Sequence, residues 1–367
     1  MRIHTLTIRD LRCIRELELR ADEKLNILLG ANAQGKSTIL ESIFLVCTSK
    51  SFRTGYDREL ISFDSDTSYV SVSAHRDKKN PVKIELALMK NRPKSKSLRI
   101  NGANKSRISD LFGELNCVVF SSEDVALLKG EPKLRRRYLN LDIAQLYPSY
   151  AVRYGEYKAA LNQRNDLLKK MAEDPSGCPA DVLDVYDAQL AALGSDLIAR
   201  RLSYTDTLFR YASEFYRSVI DSEKAEFRYR STVDCSSADR EDIEKAMLRG
   251  LREKRTGDVI THSTGIGPHR DDIQTAIDGR PVKSYGSAGQ QRCCALALKL
   301  AQIYLCYDVT GEYPIVLLDD FSSELDLTRQ QKLLSAVRSN CQCFVTSTHL
   351  DREEDGEVFG VEEGRLV

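Results

Sequence analysis

The spacing of apolar positions changes several times along the chain. Between Arg2 and Leu19 they form two short runs of period two, Ile3/Leu6/Ile8 and Ile14/Leu17/Leu19, broken at Asp10-Leu11-Arg12-Cys13. That pattern predicts a hairpin or paired edge strands leading into a phosphate-loop strand. Leu25-Asn26-Ile27-Leu28-Leu29 reads as a short buried strand, and residues 38–45 have helical spacing. Three further strands are predicted at 69–74, 82–88 and 97–100, and a small antiparallel sheet fits them. Cys117-Val118-Val119-Phe120 reads as another buried strand.

From residue 121 the period lengthens to about 3.5. Tyr150, Tyr154, Tyr157, Leu161, Leu168 and Met171 form one stripe, which Arg164 interrupts. After the turn-rich 174–179 a second stripe runs from Leu183 and Tyr186 to Tyr211 and Phe215. Two long amphipathic helices, each roughly 40 Å long, satisfy this pattern as a projecting hairpin or as the interior of a helical domain. A strand at 226–229 and a third helix at 239–254 follow. Period two returns at 272–277, and the turn Asp278-Gly279 leads into 282–285. An apolar helix at 293–306, a strand at 314–320 and a strand at 343–346 complete the pattern.

A length of 367 residues suggests about two domains. Lys plus Arg and Asp plus Glu number 54 each, so the net charge is zero, which argues against a uniformly basic nucleic-acid binder but not against a local basic face. The N-terminus lacks a signal-peptide core and no later apolar run is read as a membrane span, so a cytoplasmic protein is expected. The ten cysteines read as free thiols, since none has zinc-site spacing.

Chemistry enters at Gly30-Ala31-Asn32-Ala33-Gln34-Gly35-Lys36-Ser37, a full G-x-x-x-x-G-K-[ST] match set between a strand and a helix, with Thr38 next. The two glycines let backbone N–H groups turn inward, and the helix start adds further donors, so an anionic polyphosphate fits. Lys36 would reach the β and γ phosphates of ATP, and the Ser37 hydroxyl would ligate Mg²⁺. The strand ending in Asp319-Asp320 supplies the partner carboxylates. Asp319 is the candidate metal aspartate alongside the Ser37 hydroxyl, and Asp320 the residue that orients the attacking water. These half-sites lie at opposite ends of the chain, which predicts an ATPase head from 1–125 and 257–367 split by an inserted helical arm at 126–256.

This arrangement, with Ser287 to Gln290 before the second half-site and Ser323-Glu324-Leu325-Asp326 after it, resembles ABC-type ATPase heads of the SMC kind. The resemblance implies an α/β fold: a mixed sheet with helices, a small antiparallel sheet and an inserted helical hairpin. It also implies that Ser287, Gly289 and Gln290 cap the nucleotide of a second copy in an ATP-dependent homodimer. Ser51-Phe52-Arg53-Thr54, Lys129-Gly130-Glu131-Pro132, Gln163-Arg164-Asn165-Asp166, Gly267-Pro268-His269-Arg270-Asp271-Asp272 and Gly289-Gln290-Gln291-Arg292 narrow it. With the two phosphate-site motifs they look like the bacterial RecF family. Membership implies a recombination mediator at gapped or junction DNA that works with RecO and RecR to load RecA. Asn32, Gly35, Lys36 and Ser37 match nucleotide contacts. Arg12 holds the place of a phosphate-touching arginine or is a plain surface residue. His349 is a candidate γ-phosphate sensor or an exposed loop histidine, and His269 and Arg270 are site or loop residues. Asp320 stands where most such ATPases have Glu, and no Gln follows 117–120, so slow hydrolysis acting as a switch is expected.

For DNA, Lys129, Lys133, Arg135, Arg136 and Arg137 form the leading basic cluster, with others at 249–255 and 90–96. Solvated faces are the plain alternative for each, and arginines on a helix next to the ATPase core could equally pair with acidic neighbours. A transporter's nucleotide-binding subunit and an ATP-controlled nuclease are the competing functions. The first needs neither the long insert nor the extra motifs, and the second needs a further acidic metal constellation.

Overall fold

The computed structural model describes residues 1–92, 95–174, 180–220, 222–235, 237–320, 337, 339–349 and 356–367. The expected Ser323 to Asp326 segment and Lys94 lie outside the described residues. The chain forms two compact units, one of Met1–Asp124 with Lys299–Val367 and one of Val125–Leu298. Residues 257–298, expected with the head, fall in the second unit.

In the first unit a six-stranded antiparallel sheet runs in the order Ile14–Arg20, Arg2–Leu11, Thr67–His75, Val82–Met89, Lys96–Ile100, Ala103–Lys105. Its alternation works as the sequence implies: Ile3, Leu6, Ile8, Val70, Val72, Ile84 and Leu86 are all buried. The small sheet expected at 69–100 is therefore larger, because the N-terminal strands join it.

The second sheet is built around the strand Leu25–Leu29, whose parallel neighbours are Cys343–Ser347 and Glu357–Glu362. Beyond Cys343–Ser347 come Ile315–Leu318 and then Cys117–Phe120, both parallel, and Arg365–Leu366 closes the other edge as a hairpin. The strand carrying Asp319 is thus one place removed from the phosphate-loop strand, not directly beside it. Its four residues are all fully buried, as a central parallel strand requires.

The second unit is mainly helical. Pro148–Glu173 and Ala180–Val219 pack together, and the second, at 40 residues, is roughly 60 Å long and exceeds the expected length. Arg240–Glu253 packs on it, capped by the Asp239 carboxylate, which accepts from the N–H groups of Glu241 and Asp242. A three-stranded sheet of Ala225–Arg230, Asp272–Ile277 and Arg280–Pro281 completes it, and Val282–Tyr285 is a short helix.

Two arginines anchor this unit's interior. Arg164, the gap in the first stripe, is fully buried and pairs with Asp187 at 2.7 Å and Asp258 at 2.8 Å. Arg201, also fully buried, donates to the Tyr150 hydroxyl at 2.8 Å, to Asn140 Oδ1 at 2.7 Å and to the Pro268 carbonyl at 2.6 Å. Buried guanidiniums held by this many acceptors fix helix register, because each misplaced helix would strand a charge.

The helix Ala288–Thr310 is long and apolar enough to cross a membrane, contrary to the expectation that no such run exists; 72% of its apolar window is buried within the protein. Nine of the ten cysteines are among the described residues, and all nine are free thiols.

Candidate nucleotide site

The phosphate loop folds as its glycines dictate. A Cβ on Gly30 would lie 2.3 Å from the Val361 carbonyl oxygen, so only glycine fits beside the C-terminal hairpin. Gly35 has φ 108° and is the cap of the helix Lys36–Thr48, with no side chain satisfying that helix's first donors. The free N–H groups at this end suit an anion. The C-terminal turn grips the loop from outside: Glu363 N donates to Gln34 Oε1 at 2.6 Å and Gly364 N to the Gln34 carbonyl at 2.9 Å.

Lys36 Nζ donates to the carbonyls of Gly30 at 2.6 Å and Ala31 at 2.7 Å. Burial lowers its pKa, against the opposing pull of Asp320 and Asp319. The Ser37 hydroxyl donates to Asp319 Oδ1 at 2.7 Å, and the Thr346 hydroxyl to the same oxygen at 3.2 Å. Burial pushes the Asp319 carboxyl up, while these two hydroxyls and the charge of Arg53 hold it down. Asp320 takes the left-handed conformation, φ 51°, with its N–H donating to Thr346 Oγ1 at 2.8 Å.

A pocket of about 450 Å³ opens here, lined among others by Asn32, Lys36, Ser37, Thr38, Arg53 and Asp320. Arg12 lines it too, held by a bidentate pair to Glu41 at 2.5 and 2.9 Å. Glu41 is completely buried, also accepts from the Ser51 hydroxyl, and lies 3.5 Å from Arg53. The sequence reading missed Glu41 and Arg53 as site residues. The signal was present: a lone carboxylate on an otherwise apolar helix has to be paired.

His349 is exposed at the end of the strand Cys343–Ser347, its N–H 3.2 Å from Ser347 Oγ, and is not among the pocket residues. In the second unit, Ser287 N donates to Gln290 Oε1 at 2.8 Å and Gln290 N to Ser287 Oγ at 3.2 Å. This reciprocal capping box starts the helix Ala288–Thr310. Gly289 is exposed, with no atom closer to its Cβ position than Ser287 Oγ at 4.0 Å.

His269 and Arg270 are both held against the Thr264 carbonyl. His269 Nε2 lies 2.9 Å from the Thr264 carbonyl and Nδ1 2.7 Å from the Tyr157 hydroxyl, while Arg270 Nε donates to that same carbonyl at 3.0 Å.

The basic cluster divides. Lys129, Lys133 and Arg137 are exposed. Arg135 corrects the DNA-contact expectation: it is buried and forms a bidentate pair with Asp272 at 2.6 and 2.9 Å. Arg136 is half-buried and donates to the Asp271 carbonyl at 2.9 Å, and burial lowers its pKa. In the 90–96 cluster, Lys96 is buried against Asp57 at 2.8 Å.

The pattern of the RecF/RecN/SMC N terminal domain matches residues 2–361. The DNA replication and repair protein RecF of Clostridium tetani is 34% identical over 373 residues, covering all of both chains. The chain belongs to the RecF family. The RecF of Bacillus mycoides is 36% identical over 354 residues, spanning 96% of this chain and 93% of that one. Among solved structures, the recombination mediator protein RecF-ATP in the RecFOR pathway superposes with a TM-score of 0.93 at 32% identity, over all of this chain and 97% of that one. An Smc head domain of Pyrococcus furiosus, at 15% identity and a TM-score of 0.55, shares the fold. The architecture is therefore that of the ABC-type ATPase heads, and the RecF relatives match it along its full length.

Proposed function

We propose that this RecF-family chain is an ATP-dependent, DNA-binding recombination mediator of the cytoplasm. It acts at gapped or junction DNA with RecR and RecO to help load RecA during repair of damaged replication forks. The observation that carries the nucleotide chemistry is the 2.7 Å bond between Ser37 and Asp319, which joins motifs from opposite ends of the chain. The residues fit ATP with Mg²⁺. The loop is closed to any side chain at Gly30, the helix Lys36–Thr48 has an uncapped N-terminus, and one hydroxyl and one half-buried carboxylate supply hard oxygen donors.

In this reading Gly30 through Thr38 hold the phosphates and Lys36 neutralises the terminal ones. Ser37 and Asp319 hold Mg²⁺, which when bound would offset phosphate charge. Arg12 faces the same anion from its Glu41 clamp. Asp320 orients the attacking water, and His349 senses the γ-phosphate. Ser287, Gly289 and Gln290 cap the nucleotide of a second copy, so ATP holds a homodimer together and weak, DNA-stimulated hydrolysis releases it. Lys129, Lys133 and Arg137 supply DNA phosphate contacts.

Sedimentation of the full chain with ATP and Mg²⁺, with and without gapped duplex, tests this. The expected result is an ATP-dependent dimer whose DNA affinity falls steeply with salt. A chain that stays single at every nucleotide and DNA concentration overturns it.

A further inference from the structure

The capping box at Ser287 and Gln290 has a third member. Gln290 Nε2 donates to Glu223 Oε1 at 2.9 Å, and the other carboxylate oxygen of Glu223 accepts from the Tyr216 hydroxyl at 2.7 Å. Tyr216 is 1% exposed and lies in the last turn of the helix Ala180–Val219. One carboxylate therefore ties the end of that long helix to the start of the helix Ala288–Thr310. We propose that Glu223 is the positioning residue of the Ser287-to-Gln290 segment, a role that rests on the reading of that segment as a phosphate cap.

An amide side chain has two ends, and a capping box uses only its oxygen. Unless the nitrogen is also held, the amide flips or swings, and the box opens. Glu223 supplies the acceptor that the nitrogen needs, and the negative charge strengthens the bond. With Gln290 fixed, Gln290 N–H is committed to Ser287 Oγ as an acceptor, so the Ser287 hydroxyl proton points elsewhere and remains available to donate. The N–H groups of Ala288 and Gly289 stand at the first positions of the same helix, where no intrahelical carbonyl can accept from them. Those are the donors a phosphate cap requires. Glu223 touches no nucleotide in this scheme; it acts through Gln290. Tyr216 in turn keeps the carboxylate from rotating away, which makes the geometry of the segment depend on where the long helix ends.

Glu223→Ala, Glu223→Gln, Tyr216→Phe and Ser287→Arg, each in the full chain, test this by two readouts: fluorescent-ATP binding at concentrations where the chain is single, and ATP-dependent self-association. Glu223→Ala is expected to weaken self-association about fivefold or more while single-chain ATP binding stays at the wild-type level. Glu223→Gln, whose amide oxygen still accepts from Gln290, recovers most of that loss, and Tyr216→Phe gives an intermediate loss. A loss of fold would lower both readouts together, so the split is the diagnostic. If Ser287→Arg abolishes self-association and Glu223→Ala does not change it, the positioning role is wrong and the cap reading stands. If Ser287→Arg also leaves self-association intact, the cap reading itself falls and Glu223 with it.

Discussion

The hydroxyl of Ser37 and the carboxylate of Asp319 meet at 2.7 Å although 282 positions separate them in sequence. The oxygen they share also accepts from Thr346, at the end of the strand that lies between the two motif strands. Groups at or just beyond the C-terminal ends of three parallel strands thus converge on one carboxylate, where open α/β sheets place their ligands.

Asp319→Asn isolates the charge in this contact, because the amide oxygen still accepts from Ser37. The variant is expected to fold normally, to lose the gain in ATP affinity that Mg²⁺ confers, and to lose turnover by about 100-fold or more. Titrating ATP with and without Mg²⁺, alongside a phosphate-release assay, checks both. Unchanged Mg²⁺-dependent turnover would refute the assignment.

Among the cluster at 129–137, Lys129 and Lys133 are exposed and Arg135 is buried. Alanine at Lys129 or Lys133 is expected to lower duplex affinity at all sequences and to reduce the slope of log affinity against log salt by about 0.9 per site. Arg135→Ala should leave that slope alone and instead destabilise the helical unit, since it strands the half-buried Asp272 carboxylate. Binding isotherms at three salt concentrations, paired with urea unfolding, distinguish the two behaviours.

The parts of this protein legible in the sequence are those whose signal is local. The phosphate loop announces itself within eight residues, and the alternating strands within six to ten. What stayed hidden depends on neighbours. Period two tells which face of Arg2–Leu11 is buried and that it pairs with Ile14–Arg20, but not that its other neighbour is Thr67–His75. The hairpin from Glu357 to Leu366 has too few apolar residues to register, yet it supplies the Val361 carbonyl that makes Gly30 obligatory. Arg201 puts a charge inside an apolar stripe, and only the converging acceptors Tyr150, Asn140 and Pro268 explain its burial. Arg135 looked like its neighbours because sequence spacing cannot show the carboxylate of Asp272 brought back from a strand far along the chain.

His269 makes the helical unit sensitive to acid. A carbonyl can only accept, so Nε2 carries the proton toward Thr264, and Nδ1 accepts from Tyr157. Protonating Nδ1 would force the Tyr157 hydroxyl to turn its proton away and accept instead, in a site where burial, chiefly, and the charges of Arg270, Arg136 and Arg201 lower the pKa from 6.5 to about 4, against the bond to Thr264. Between those values the unfolded chain binds more protons than the folded one, so stability is full above pH 6.5 and declines as the pH falls toward 4. Melting temperatures across that window should drop more steeply for the wild type than for His269→Gln; parallel curves would remove His269 as a source of the slope.

Asp320 differs from its neighbour in what its backbone demands. Its φ of 51° lies in the left-handed region, which Asp and Asn enter more readily than longer side chains do. Asp320→Asn therefore keeps the turn and the Thr346 contact while removing the charge that would orient water. If Asp320 serves the hydrolytic step alone, ATP binding and ATP-dependent pairing survive in this variant, single-turnover hydrolysis slows by about 100-fold, and the paired species outlives that of the wild type. Both quantities come from one experiment, in which ATP is mixed with the protein and then chased with ADP while phosphate release and sedimentation are followed. Hydrolysis at the wild-type rate would move the water-orienting role away from Asp320, whereas loss of pairing would show that this carboxylate is needed to hold the nucleotide rather than to cleave it.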